Sequence, residues 1–241
     1  MSTPSLPGEF QQRPALPPLI LVTDRSVVCG ADLVGTLTRV LEWIPDASAM
    51  VILREPDLPP RGLIALAERV VALCRRTSTR LLIHERFDVA RAVGADGVHL
   101  TERSFEARHV RRAWPSGILA VTCRRSGAAA SALHFADVAL MGPIYPTSFG
   151  ESRDGWPVGP EILERTRAAA APGTLIYAMG GIDGETAQWA FDAGADGIAV
   201  RSAVLADLDP VSAASLMVRK SGGNSSDPSH LDSPLTIDDH R

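Results

Sequence analysis

Eight short apolar runs punctuate the chain, alternating with stretches that have helical spacing. The runs are Leu19–Asp24, Ala49–Glu55, Arg80–Glu85, Gly94–Leu100, Gly117–Thr122, Asp137–Pro143, Leu175–Met179 and Gly197–Val200. None shows the apolar–polar alternation of a strand with one wet face. Uninterrupted apolar runs of this length belong to strands covered on both sides, as in parallel sheets. The intervening segments repeat apolar residues every three or four positions, as in Leu33, Leu37, Val40 and Leu41 of Asp32–Trp43. Arg61–Arg76 does the same with Leu63, Leu66, Ala67, Val70, Val71 and Leu73. Strand and helix alternating through a chain predict an α/β protein, and eight such units predict a single (β/α)8 TIM barrel. A short internal echo supports repetition: Gly94-Ala95-Asp96-Gly97-Val98 returns as Gly194-Ala195-Asp196-Gly197-Ile198.

A chain of 241 residues is of ordinary length for one barrel and can bury a large core without disulfide or metal. The expected organisation is a loose Pro/Ser/Gln-rich arm over 1–18, the barrel over 19–219, and a disordered Ser/Asp/Pro/Gly-rich tail over 220–241. Pro210 to Arg219 would be a closing helix. The net charge of −4 supplies no basic field, so neither nucleic acid nor a membrane surface is an expected partner. No apolar run reaches the length of a bilayer span. Cys29, Cys74 and Cys123 are an odd, widely spaced set, which argues against a disulfide framework. Cys74 falls on the apolar side of a helix. Cys123 lies just past a strand end, where either a packed or a reactive thiol is conceivable. With no leader-like segment, a cytoplasmic location is the expectation. A homo-oligomer stays open.

In such barrels the chemistry sits at the C-terminal strand ends. The polar residues falling there are Thr23 and Asp24, Arg54 and Glu55, His84 and Glu85, Thr101 and Glu102, Thr122 and Arg124, and Thr147 and Ser148. Leu175–Met179 ends in Gly180-Gly181, and Gly197–Val200 ends in Arg201-Ser202. Two strand-to-helix junctions with unengaged backbone N–H groups and a hydroxyl would hold a phosphate; alternatively both are only tight turns. Arg54 could grip an anion bidentately or pair with an acid such as Glu85. His84 beside Glu85 offers an imidazole and a carboxylate for proton transfer, or a structural histidine. His99 alternates with Val98 and Leu100, so it could point into the barrel. Glu85, Glu102 and His84 lack a dedicated metal-ligand spacing. Ile144 to Val158, rich in Pro, Gly, Ser and Thr, could form a lid over the mouth.

These residues resemble a known family. Leu21-Val22-Thr23-Asp24, Leu53-Arg54-Glu55, Gly94 to Leu100, Gly142-Pro143-Ile144-Tyr145-Pro146-Thr147, Gly180-Gly181-Ile182 and Ala193 to Val200 before Ser202 occur in that order. As an ordered set they resemble the thiamine phosphate synthase/TenI family over roughly Leu19 to Leu205. The resemblance implies a (β/α)8 barrel. It also implies thiamine biosynthesis, in which a pyrimidine methyl pyrophosphate condenses with a thiazole phosphate, with Mg2+. Gly180, Gly181, Val200 and Ser202 would hold the thiazole phosphate, Arg54 would meet the pyrophosphate, and Thr147 would lie near the thiazole.

The departures from the synthase pattern are specific. Its Gln-Leu-Arg-Glu-Lys becomes Ile52-Leu53-Arg54-Glu55-Pro56, and its Asn-Asp becomes His84-Glu85. Its second magnesium-ligand Asp becomes Ser104, and its strand-six Thr-x-Thr-Lys becomes Thr147-Ser148-Phe149-Gly150. A pyrophosphate leaving group needs its charge neutralised, and one missing contact of this kind raises a barrier by ~2.7–4 kcal/mol. The TenI branch, similar but lacking parts of that site, is a thiazole tautomerase that moves a proton. Its histidine after strand five is Arg124 here. The first reading is therefore TenI-like proton transfer on a thiazole phosphate, with His84, Glu85 and Arg124 as candidate catalytic residues and Thr122 among those contacting the ligand. A divergent synthase, retaining Mg2+, is the second. A non-catalytic binder of a phosphorylated ligand is the third.

Overall fold

The computed structural model describes residues 15–127, 133–147, 157–170 and 174–222. The eight runs form strands β1 Leu19–Val22, β2 Ala49–Leu53, β3 Arg80–His84, β4 Gly97–Leu100, β5 Ile118–Cys123, β6 Val138–Met141, β7 Leu175–Met179 and β8 Gly197–Val200. All pair in parallel and in chain order, and β8 closes on β1. The expected (β/α)8 barrel is the observed one.

The helices between them are α1 Leu33–Trp43, α2 Pro60–Arg76, α3 Phe87–Val93, α4 Ala107–Ala113, α5 Glu161–Ala169, α6 Thr186–Asp192, α7 Ser202–Leu205 and α8 Pro210–Gly222. Local chemistry sets their ends. Asp32 caps α1 by accepting the Gly35 N–H at 3.0 Å. Pro60 occupies the first turn of α2, where its missing N–H costs nothing. The face α1 buries is Leu33, Thr36, Leu37, Val40 and Leu41. Each fully buried aliphatic side chain of this kind contributes about 1.5–3 kcal/mol, and truncating Leu37 to alanine would cost about 2–5 kcal/mol. The small-residue helix expected over 126–134 falls mostly outside the described residues, as do Ser148, Phe149, Gly150 and the rest of the expected lid up to residue 156.

Strand alternation divides the core in two. Ile20, Val22, Met50, Ile52, Leu82, Ile118, Ala120, Val138, Leu140, Tyr177 and Ala199 fill the barrel interior. Their neighbours, among them Leu19, Leu21, Val51, Leu53, Val98 and Val200, pack outward against the helices. This period-two division explains why the runs are apolar throughout: both faces are buried.

The N-terminal rim is held by three aspartates standing just before β4, β6 and β8. Asp96 accepts the Leu81 N–H at 2.9 Å, Asp137 the Leu119 N–H at 2.8 Å, and Asp196 the Ile176 N–H at 2.7 Å. Each also pairs with an arginine: Arg80, Arg111 and Arg167 respectively. The Gly-Ala-Asp-Gly echo thus marks a rim fastening at β4 and β8. The floor is closed by residues read from the sequence as part of a loose arm. Pro17 O accepts the Tyr177 hydroxyl at 2.7 Å, Pro18 O accepts the Ile198 N–H at 2.8 Å, and Leu16 packs on the interior cluster. Those contacts make Leu16–Pro18 part of the barrel. At the other end of the chain α8 runs to Gly222, past the expected Arg219.

Candidate active site

At the β7 exit, Gly180 and Gly181 have φ of +88° and +68°. The β6 exit segment lies directly against them. Ile144 N–H donates to Met179 O at 2.9 Å and Tyr145 N–H to Gly180 O at 3.1 Å. A Cβ on Gly180 would stand 2.6 Å from Pro143 Cβ, and one on Gly181 would stand 2.5 Å from Pro146 O. Glycine is therefore required twice over, by the left-handed backbone and by the neighbouring loop. Asp183 accepts the Glu185 and Thr186 N–H groups at 2.9 Å each, which caps the turn into α6. Across the corner, α7 opens at Ser202, which is half-buried. The N–H groups of Gly180, Gly181, Ser202 and Ala203 meet no acceptor among the described residues. Such a cluster of unengaged donors suits an anion.

One expected ligand contact changes character. The Val200 side chain is 2% exposed and packs outward with the helices, because Ala199 takes the inward position. Only its backbone can face the mouth. Next to it Arg201 Nη1 reaches Asp24 Oδ2 at 3.3 Å, tying β8 to the β1 exit. Thr147 is exposed at the end of the described β6 exit segment.

The opposite side of the mouth carries the acid–base groups. His84, His99 and Thr122 end the inward-facing series of β3, β4 and β5, and His84 and His99 are register partners. Their Nδ1 atoms lie 3.0 Å apart, and His99 Nε2 is 2.8 Å from Thr122 Oγ1. Thr122 therefore serves His99 within the protein. His99, 3% exposed, is held well below the usual imidazole range by burial, with His84 and Arg54 adding to it. Burial, followed by Arg54 and Arg103, lowers His84 to about 4 against the opposing pull of Glu85. Both rings are neutral at pH 7.

Glu85 leaves β3 with φ of +61°, its N–H donating to His99 O at 2.8 Å. One carboxylate oxygen lies 4.0 Å from His84 Nε2 and accepts the Thr101 hydroxyl. The alternative role considered for Arg54, pairing with Glu85, is not realised. Among the described residues no acid pairs with the Arg54 guanidinium, which stands half-buried near both histidines. Arg124 follows β5, half-buried, and no hydrogen bond or ion pair joins it to His84 or Glu85.

Glu55 is a brace, and its carboxylate does not open to the mouth. Its side chain accepts from Thr23 Oγ1 at 2.7 Å and from the Arg25 N–H and Nε at 3.1 Å each. Thr23 Oγ1 in turn accepts the Arg54 N–H at 2.9 Å, so this buried chain sets the backbone from which Arg54 projects. The reactive option for Cys123 is overturned. Its thiol is buried on the helix side and desolvation pushes it up to about 12. The roles of Thr23 and His99 were not legible as contacts. The only sequence signal was the inward phase of His99 in its strand.

The magnesium that the family resemblance implies finds a poor donor set. Glu85 is engaged by Thr101, and Ser104 Oγ accepts the Thr101 N–H at 2.9 Å. Among the described residues no three His, Cys, Asp or Glu side chains converge on one point. A single engaged carboxylate does not fit a dedicated magnesium site. No helix among these residues is long and apolar enough to cross a membrane.

The comparisons agree with this architecture. Residues 19–204 match the family model described as thiamine monophosphate synthase. A putative thiamine-phosphate synthase of Geobacter sulfurreducens is 43% identical over 131 residues, which is 54% of this chain and 60% of that protein. A putative thiamine-phosphate synthase 2 of Aquifex aeolicus is 41% identical over 134 residues, 55% of this chain and 70% of its own. The match thus spans less than two thirds of the Geobacter protein. Among solved structures, thiamine phosphate pyrophosphorylase from Pyrococcus furiosus superposes with a TM-score of 0.72 at 25% identity, covering 84% of this chain and 94% of that one. The matched segment contains all eight strands and the glycine corner, and the chain belongs to the thiamine monophosphate synthase family of thiamine biosynthesis.

Proposed function

We propose that this protein binds a phosphorylated thiazole-type ligand at the Gly180–Gly181 and Ser202 corner and moves a proton on it, as a TenI-like tautomerase. The observation that carries the reading is the pairing of the Glu85 carboxylate with the neutral His84 imidazole, 4.0 Å apart on the far side of the mouth. A carboxylate can take a proton from carbon. A neutral imidazole beside it can polarise the atom that receives the resulting charge. No leaving group then has to be neutralised, which suits a chain with Pro56 and Ser104 where the synthase pattern has lysine and aspartate. Arg54 and Arg124 serve the ligand's negative charge, since a guanidinium does not release its proton.

The second reading, a divergent synthase, is favoured by the names of the Geobacter and Aquifex relatives and by Arg54, whose guanidinium has no acid partner among the described residues and would suit a pyrophosphate. One experiment separates the two. The protein is incubated with thiazole phosphate in D2O, then with added pyrimidine methyl pyrophosphate and Mg2+. Deuterium exchange at the ligand without pyrophosphate release is expected, falling by about 10²–10⁴ in Glu85→Gln. Pyrophosphate release unaffected by Glu85→Gln would establish the synthase instead. Tight binding with neither reaction would establish a binding protein.

A further inference from the structure

We infer that Thr122 and His99 are positioning residues that fix His84 in one tautomer, with its Nε2–H presented to the ligand. Between the two Nδ1 atoms at 3.0 Å there is room for one proton only. Two neutral rings can share it in two ways. If His84 donated, its bare Nε2 lone pair would face the Glu85 carboxylate at 4.0 Å, an unfavourable arrangement. His99 Nε2–H would also have to donate to Thr122, leaving the Thr122 hydroxyl proton without an acceptor among the described residues. If His99 donates, both difficulties vanish. Thr122 Oγ1 donates to His99 Nε2, His99 Nδ1–H donates to His84 Nδ1, and His84 Nε2–H points past Glu85 into the mouth. Each donor within the Thr122–His99–His84 network then has an acceptor, and the one N–H left over is that of His84 Nε2, 4.0 Å from Glu85, which a ligand can engage.

The groups acting on His84 from the surrounding elements are Arg54 after β2, Glu85 on its own exit, His99 on β4 and Arg103 beyond β4. Two guanidiniums and burial disfavour a second proton on the ring, so it works as a neutral donor. This inference deepens the proton-transfer reading and rests on it for its consequence. The ligand must offer a hydrogen-bond acceptor, a ring nitrogen or an oxygen, adjacent to the carbon that Glu85 deprotonates. As the C–H proton moves to Glu85, the electron pair moves onto that acceptor, and the His84 N–H stabilises it by hydrogen bonding.

The test is nitrogen-15 NMR of the uniformly labelled full-length protein between pH 5.5 and 8. His84 is expected to carry its proton on Nε2 and His99 on Nδ1 throughout. The reverse assignment, or a mixture of tautomers at His84, would overturn the inference. This readout needs no turnover, so it stands apart from the fate of the proposed reaction. With thiazole phosphate, Thr122→Val should lower exchange about tenfold at unchanged ligand affinity, and Thr122→Ser should restore it. Exchange equal to wild type in Thr122→Val would remove the positioning role. If the wild type shows no exchange, the spectrum alone decides the tautomer, and the proton-transfer reading fails separately.

Discussion

Asp96 and Leu81 exchange two hydrogen bonds: the Leu81 N–H donates to the Asp96 carboxylate and the Asp96 N–H donates to Leu81 O, each at 2.9 Å. The same exchange joins Asp137 to Leu119 and Asp196 to Ile176. Removing the carboxylate leaves the N–H of the buried Leu81 without its protein acceptor. Asp96→Ala is expected to cost about 1–3 kcal/mol, read as a lower urea midpoint. Binding of phosphate ligands at the opposite rim should not change. Unaltered stability would mean that water replaces the carboxylate at this rim.

The glycine corner makes a second expectation. Ser202→Ala removes one hydroxyl and should weaken binding of thiazole phosphate by about 0.5–1.5 kcal/mol, with the fold intact. Gly181→Val should abolish binding. A branched side chain there meets both the left-handed backbone and the Pro146 carbonyl, so the β6 exit segment has to move. Titration calorimetry decides both. Full affinity in Gly181→Val would place the anion elsewhere.

The buried histidines make stability depend on pH. The folded protein holds His84 at about 4, below its ordinary 6.5, and His99 is lowered as well. The unfolded chain therefore takes up protons first as pH falls. Stability is fully present above about pH 6.5 and is lost between about 6.5 and 4, by on the order of 2–3 kcal/mol for His84. Urea unfolding at pH 7.5, 6 and 5 measures this. A flat profile would contradict the burial of neutral imidazoles at this mouth.

The cysteines separate by access. Cys29 is exposed, whereas Cys74 and Cys123 are buried and both thiols are pushed up to about 12 by desolvation. A thiol reagent at pH 8 should label Cys29 in the native protein and reach the other two only after unfolding. Rapid native labelling of Cys123, located by peptide mapping, would reinstate it as a mouth residue.

Arg54 should be costly for function and cheap for the fold. With no acid partner among the described residues, Arg54→Ala should leave stability within about 0.5 kcal/mol. Ligand affinity should fall by about 1.5–3 kcal/mol, the worth of a hydrogen bond to a charged group. The His84 pKa should rise, because a nearby positive charge has gone. A large loss of stability would show that Arg54 is structural.

The barrel was legible in the sequence because a strand buried on both faces has to be apolar along its whole length, and that pattern is local. Helix ends were legible to within a residue or two where a cap or proline marked them, as at Asp32 and Pro60. The glycine corner was legible because backbone shape constrains residue type. The outward packing of the Val200 side chain follows from the inward phase of Ala199, so Val200 offers only its backbone to the mouth. Other features required the closed barrel. His84, His99 and Thr122 are separated by 15 and 23 residues, and no spacing rule joins them. Their contacts exist because parallel register brings three adjacent strand ends to one level. Likewise the Gly-Ala-Asp-Gly echo announced a repeat, but its rim-fastening role appeared only once each aspartate met the N–H of the preceding strand. Residue type and periodicity determined the architecture, because burial acts on each segment separately. Hydrogen-bond partners, and with them the protonation state of the mouth, were decided by tertiary structure, because they depend on distances across strands that the chain order does not contain.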